Sequence, residues 1–227
     1  MEIARRLTEI KQRIDQAARI AGRDPGEIRL LAVSKTVQPG ILEEAYKAGQ
    51  RDFAENRVQE WLTKAAVLPA DCHWHIIGRL QTNKVKYLDQ RITMIHSLDR
   101  LDLLQKLQEQ GVRRGHIWSA LIQVNIARDR AKTGLLREET ADFLRETAAY
   151  SNVRVQGLMT IGSYEADRQE TRELFRELRS LRDDLVQNFS GKITLPELSM
   201  GMSQDFEIAI EEGATMIRVG REIFGER

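Results

Sequence analysis

Eight short apolar runs, separated by longer amphipathic stretches, restrict the fold of this chain more than any other feature. The runs cover 29–34, 52–54, 73–77, 92–96, 119–125, 153–159, 194–199 and 215–219, and each reads as a strand buried on both faces. Between them, stretches such as 101–110 and 170–186 place apolar residues every three or four positions among Glu, Arg and Lys, the pattern of helices with one covered face. Strand and helix in alternation build a parallel sheet, and eight strands close a (β/α)8 barrel of TIM type. An extra helix precedes the barrel: Ile3, Leu7, Ile10, Ile14, Ala17 and Ala18 fall at helical spacing over 2–21 until Gly22 and Pro25 end the pattern.

An open doubly wound sheet alternates in the same way, but its usual phosphate signal is a Gly-rich turn after the first strand. Here that strand runs into Ser34-Lys35-Thr36-Val37-Gln38-Pro39, with a lysine where glycines are needed, so the barrel is the expected fold. At 227 residues, with no linker, repeat or low-complexity tract, the expectation is one domain over 1–227.

Lys plus Arg total 35 against 34 for Asp plus Glu, a net charge of +1, so no strong field draws the chain to nucleic acid or anionic lipid. No apolar run approaches the roughly 20 residues that span a bilayer, and Met1 to Arg6 lack a secretory apolar stretch. With one cysteine, Cys72, a reducing compartment and a cytoplasmic location are expected. Cys72-His73-Trp74-His75 invites a metal reading, yet strand alternation sends Cys72 and Trp74 to one face and the histidines to the other. No second Cys/His cluster completes a ligand set, and no metal is expected.

In a barrel the carboxyl ends of the strands converge on one face, so polar residues directly after the apolar runs are the site candidates. Lys35 follows Leu30-Leu31-Ala32-Val33 and is expected in a partly dry pocket, where a neutral amine can attack an aldehyde. Taken alone, it is equally a lysine reaching from a strand end into water. Leu198-Ser199-Met200-Gly201-Met202-Ser203-Gln204-Asp205 after the seventh run and Arg218-Val219-Gly220-Arg221 after the eighth lie where barrels bind phosphate through backbone N–H groups and small residues. The glycines also suit plain turns, and Ser203 suits a helix N-cap with Asp205 in the first turn. A lysine opposite a phosphate cradle describes a binder of a phosphorylated aldehyde.

These residues resemble the pyridoxal phosphate homeostasis protein (YggS/PROSC) family over nearly the whole length. The resemblance is carried by Ala32-Val33-Ser34-Lys35-Thr36, Glu55-Asn56-Arg57-Val58-Gln59-Glu60, Trp74 to Lys84, Gln123-Val124-Asn125, Lys132-Thr133-Gly134, Gly157 to Ile161, Leu198 to Ser203 and Ile223 to Arg227. It implies the barrel of the alanine racemase N-terminal domain, with pyridoxal 5′-phosphate (PLP) held covalently as an aldimine on Lys35. It further implies Ser199, Gly220 and the Arg221 N–H at the phosphate, Arg218 facing the pyridine nitrogen, and Asn56 and Met159 lining the ring pocket. Ala54 and Arg221 depart from the family pattern, which has glycine and a hydroxyl residue there.

A guanidinium at the pyridine nitrogen disfavours its protonation and weakens the ring as an electron sink. In alanine racemases the second acid/base is a tyrosine supplied with the help of a second domain, for which this length leaves no room. The expected role is therefore a PLP carrier in vitamin B6 homeostasis, without substantial catalysis, with PLP-dependent apo-enzymes as candidate recipients, and the expected oligomeric state is a monomer. The rivals are a PLP-dependent racemase or another Schiff-base barrel enzyme, and a docking module without cofactor chemistry. Of Tyr46, Tyr87, Tyr150 and Tyr164, only Tyr164 follows a strand on the site face. Lys132, after the fifth run, is a candidate second amine, or an ordinary loop lysine beside Asp129 and Arg130.

Overall fold

The computed structural model describes residues 2–162, 166–189 and 193–225. Eight parallel strands close on themselves in chain order: β1 (Arg29–Val33), β2 (Asp52–Glu55), β3 (His73–Ile76), β4 (Ile92–Leu98), β5 (Trp118–Gln123), β6 (Val153–Met159), β7 (Glu197–Met202) and β8 (Met216–Val219). Closure is made by β8 pairing with β1, with Leu31 beside Arg218 and Ala32 beside Val219.

Alternation along each strand sorts the core into two layers. Outward residues such as Ala32, Phe53, Trp74, Ile95 and Ile122 pack under the helices in one large cluster. Inward residues form a smaller one of Leu31, Val33, Ala54, Met94, Leu121, Met159 and Met216. The inward positions His75, His96, Ser199 and Arg218 are polar and buried, so much of the barrel's interior is hydrogen-bonded rather than oily.

The leading helix α1 (Glu2–Ile20) buries the six apolar residues expected of it, against α7 (Phe206–Glu211) and α8 (Arg221–Phe224). Arg13 fastens it there: its guanidinium pairs with Glu207 at 2.6 Å and Glu222 at 2.5 Å and lies 4.5 Å from the centre of the Phe206 ring. The outer ring continues with α2 (Pro39–Lys47), α3 (Val58–Ala65), α4 (Leu101–Arg114), α5 (Arg137–Thr147) and α6 (Arg168–Asn188). Only a 3₁₀ segment, Thr82–Tyr87, crosses from β3 to β4.

One strand departs from its expected bounds by three residues. The seventh run, expected at 194–199, is extended as β7 over Glu197–Met202. Pro196 lacks the N–H a central strand needs, which delays the start. Gly201, at φ +90°, lies where pairing with β8 shifts register between Ser199 and Met202, which carries the strand past the expected turn.

Candidate functional site

A cavity of about 790 Å³ opens at the carboxyl ends of the strands, within the roughly 300–1,000 Å³ usual for small-molecule sites. Lys35, Asn56, Met159, Arg218, Gly220 and Arg221 all line it, brought together from four of the eight strand ends.

Lys35 is exposed within this cavity rather than partly dry, because β1 ends at Val33 and the lysine stands two residues further out. Its backbone is nonetheless held firmly. Thr36 adopts a left-handed φ of 62°, and its N–H donates to Glu60 Oε2 at 2.7 Å. Behind it, buried Lys64 donates to the Ser34 carbonyl and to Glu55 Oε1, both at 2.6 Å, and Ser34 Oγ donates to the same Glu55 oxygen at 2.5 Å. Burial pushes the Glu55 carboxyl up, a shift that Lys64 and Ser34 partly offset. An ion pair thus braces the turn that presents Lys35.

Asn56 leaves β2 directly against β3. A Cβ on Gly78 would stand 2.4 Å from the Asn56 carbonyl oxygen, so only glycine permits that approach. Met159 closes the floor as part of the inner apolar cluster.

At the far side, Met202, Ser203, Gly220 and Arg221 converge. The Gly220 N–H points to Ser203 Oγ at 3.5 Å, which brings a hydroxyl and a backbone amide together at one point. Such a set suits a phosphate. Ser203 is not an N-cap here: α7 begins at Phe206, after Asp205, whose Oδ1 turns back to accept the Met202 N–H at 2.5 Å. Burial raises the Asp205 carboxyl, against the pull of that N–H and of Arg218.

Ser199 is the site residue that the structure moves. Because β7 runs on to Met202, Ser199 is fully buried inside the barrel and does not line the cavity. Its Oγ accepts from Arg218 Nη1 at 2.6 Å and lies 2.9 Å from His96 Nδ1. The hydroxyl that lines the cavity beside Gly220 is that of Ser203. Arg218 is buried, donates its other terminal nitrogen to the Thr160 carbonyl at 2.8 Å, and has its pKa lowered by burial to about 10, so it stays a cation at neutral pH.

Lys132 also lines the cavity, 3.1 Å from the Gly162 carbonyl and 3.3 Å from Asp129 Oδ2, so the loop contacts and the site position hold together. Tyr46, Tyr87 and Tyr150 lie away from it, and Tyr164 falls outside the described residues. Cys72 is buried with its thiol raised to about 11, first by burial, and no metal-binding cluster occurs among the described residues. No helix there is long and apolar enough to cross a membrane.

Residues 6–227 match the family model described as alanine racemase, N-terminal domain. The pyridoxal phosphate homeostasis protein of Aquifex aeolicus is 44% identical over 228 residues, covering 100% of this chain and 99% of its own. That of Escherichia coli K12 is 35% identical over 230 residues, covering 100% and 97%. PipY of Synechococcus elongatus, solved with PLP bound, superposes with a TM-score of 0.86 at 35% identity, over 98% of this chain and 100% of its own. Alanine racemase of Clostridium difficile 630 shares the fold, with a TM-score of 0.74 at 15% identity over 100% of this chain and 57% of that one.

Proposed function

The chain belongs to the family of pyridoxal phosphate homeostasis proteins, and from that premise we propose that it binds PLP at the carboxyl mouth of the barrel and serves as a carrier of the cofactor. The observation that carries this reading is the arrangement of one cavity: a lysine on one side, and a hydroxyl with a backbone amide on the other, over a buried guanidinium. Each end suits one part of PLP. Lys35 holds the aldehyde carbon as a Schiff base, Ser203, Gly220 and Arg221 receive the phosphate, and Arg218 meets the pyridine nitrogen while Asn56 and Met159 bound the ring. PLP supplies a reactive aldehyde and an electron-accepting ring; the side chains orient it and keep it from stray amines.

The same residues favour carriage over turnover. Arg218 remains charged at neutral pH, and a cation beside the ring nitrogen opposes the protonation that would make the ring a strong electron sink. Among the described residues no tyrosine lines the cavity to act opposite Lys35. PLP-dependent apo-enzymes are the recipients this role requires.

The test is absorbance of the protein with PLP, before and after borohydride reduction, beside Lys35→Ala. An imine band in the wild type, lost on reduction, with the added mass mapped to Lys35 and no band in the variant, is expected. An unchanged band in Lys35→Ala would overturn the attachment. Rapid exchange of the α-hydrogen of L-alanine in deuterated water by the PLP-loaded protein would overturn the carrier reading.

A further inference from the structure

Five side chains link the amino-terminal mouth of the barrel to the floor of the cavity. Asp52 begins β2 at that mouth, and His75 Nε2 stands 3.4 Å from its Oδ1. His75 Nδ1 lies 2.9 Å from His96 Nε2, His96 Nδ1 lies 2.9 Å from Ser199 Oγ, and Ser199 Oγ accepts from Arg218 Nη1 at 2.6 Å. The two histidines and the serine are fully buried. The groups that face them are Arg29 and His73 at the mouth, where His73 Nδ1 also stands 3.4 Å from Asp52 Oδ1, and Asp205 beside Arg218.

The donors and acceptors permit one consistent direction. An arginine can only donate, so a lone pair of Ser199 faces Arg218 and its O–H is left for His96 Nδ1. His96 then carries its proton on Nε2 and gives that hydrogen bond to His75 Nδ1. His75 in turn carries its proton on Nε2, which makes no hydrogen bond of good geometry in the structure and has the Asp52 carboxylate, 3.4 Å away, as the acceptor facing it. In the opposite direction the unprotonated His75 Nε2 would face a carboxylate lone pair, and the Ser199 hydrogen would lose its partner. Burial of such groups unpaired costs more than the net gain of pairing them, so one direction dominates.

We propose that His75, His96 and Ser199 form a one-way hydrogen-bond chain, oriented by the Asp52 carboxylate that faces His75, which positions Arg218, so that the ring end of the cavity is organised from the opposite mouth of the barrel. None of the four lines the cavity; they are positioning residues acting through Arg218. With Nη1 held by Ser199 and Nη2 by the Thr160 carbonyl, the guanidinium plane is set, and its remaining N–H groups are presented to a ligand. The ligand part of this inference rests on the PLP reading above.

The direction is read in ligand-free protein, which separates it from PLP binding. Long-range proton–nitrogen correlations of ¹⁵N-histidine protein near neutral pH, with signals assigned through His73→Gln and His116→Gln, should show His75 and His96 both neutral with the proton on Nε2. A proton on Nδ1 of either ring, or an imidazolium, would overturn the chain. Asp52→Asn, far from the cavity, should mix the tautomers at both rings; unchanged tautomers would also overturn it. With PLP, Ser199→Ala should bind about tenfold more weakly and shift the imine absorbance, while Ser199→Thr restores both. Wild-type affinity and absorbance in Ser199→Ala would overturn the positioning of Arg218. Should Ser199→Ala not fold, Asp52→Asn carries the same PLP comparison. No binding of PLP by the wild type would instead sink the functional reading, with the tautomers still deciding the chain.

Discussion

Lys64 Nζ lies 2.6 Å from Glu55 Oε1 and 2.6 Å from the Ser34 carbonyl, and all three residues are buried directly behind Lys35. A charge so placed is tolerable only while its partner is present. Lys64→Met leaves Glu55 unpaired, and breaking a buried pair from one side costs roughly 3–5 kcal/mol. The loss should appear in urea denaturation, and Lys64→Met with Glu55→Leu should recover most of it. A single variant as stable as the wild type would show that Glu55 is satisfied in some other way.

Gly201 allows β7 to continue past Ser199. Its φ is +90°, and a Cβ there would stand 2.5 Å from the Ala209 Cβ and 3.1 Å from the Phe206 Cα. Gly201→Ala therefore combines backbone strain with overpacking, together roughly 2–3 kcal/mol. Because the displaced segment includes Ser203, PLP affinity should fall along with the urea midpoint. Stability lost with affinity kept would separate the strand from the site.

Much of this site was legible because barrel topology turns sequence position into location. Lys35, Asn56, Met159, Arg218, Gly220 and Arg221 each follow or end an apolar run, and closure brings such positions to one mouth. Ser199 misleads because a register shift is invisible to periodicity: the run reads as ending where the strand goes on. Alternation puts His75 inside the barrel but cannot say that His96, on the next strand, meets it at hydrogen-bonding height. Lys64 is hidden for another reason, since Glu60 and Lys64 four residues apart on a helix look like an exposed surface pair.

Stability should depend on pH through the two buried histidines. Burial holds His75 below the usual 6.5 and His96 well below it, with the neighbouring His75 and the Arg218 charge adding to the second shift. Below about 6.5 the unfolded chain therefore takes up protons that the native state refuses. Stability falls as pH drops through that window, by up to about 1.4 kcal/mol per pH unit for each histidine, until the native rings protonate too. Glu55 and Asp205, both raised, act with the opposite sign as pH rises through their native values, so the wild type alone mixes the two. Comparing urea midpoints of wild type and His96→Leu from neutral to mildly acid pH isolates the histidine part. The variant should lose a large share of the slope, and equal slopes would contradict the buried neutral rings.

Ser203 and Ser199 differ by four positions in sequence and occupy different environments. Ser203 lines the cavity 3.5 Å from the Gly220 N–H, whereas Ser199 is sealed beneath it between His96 and Arg218. Removing the Ser203 hydroxyl takes one donor from the phosphate end, and a hydrogen bond to a charged group contributes roughly 1.5–3 kcal/mol. Ser203→Ala should thus weaken PLP binding by roughly tenfold or more. Because the phosphate is the part affected, pyridoxal, which lacks it, should bind wild type and variant alike. The stability of ligand-free Ser203→Ala should stay within about 0.5 kcal/mol of wild type, as expected for a partly exposed hydroxyl. Equilibrium binding of both ligands to both proteins decides the matter: equal losses for pyridoxal and PLP would move the hydroxyl away from the phosphate.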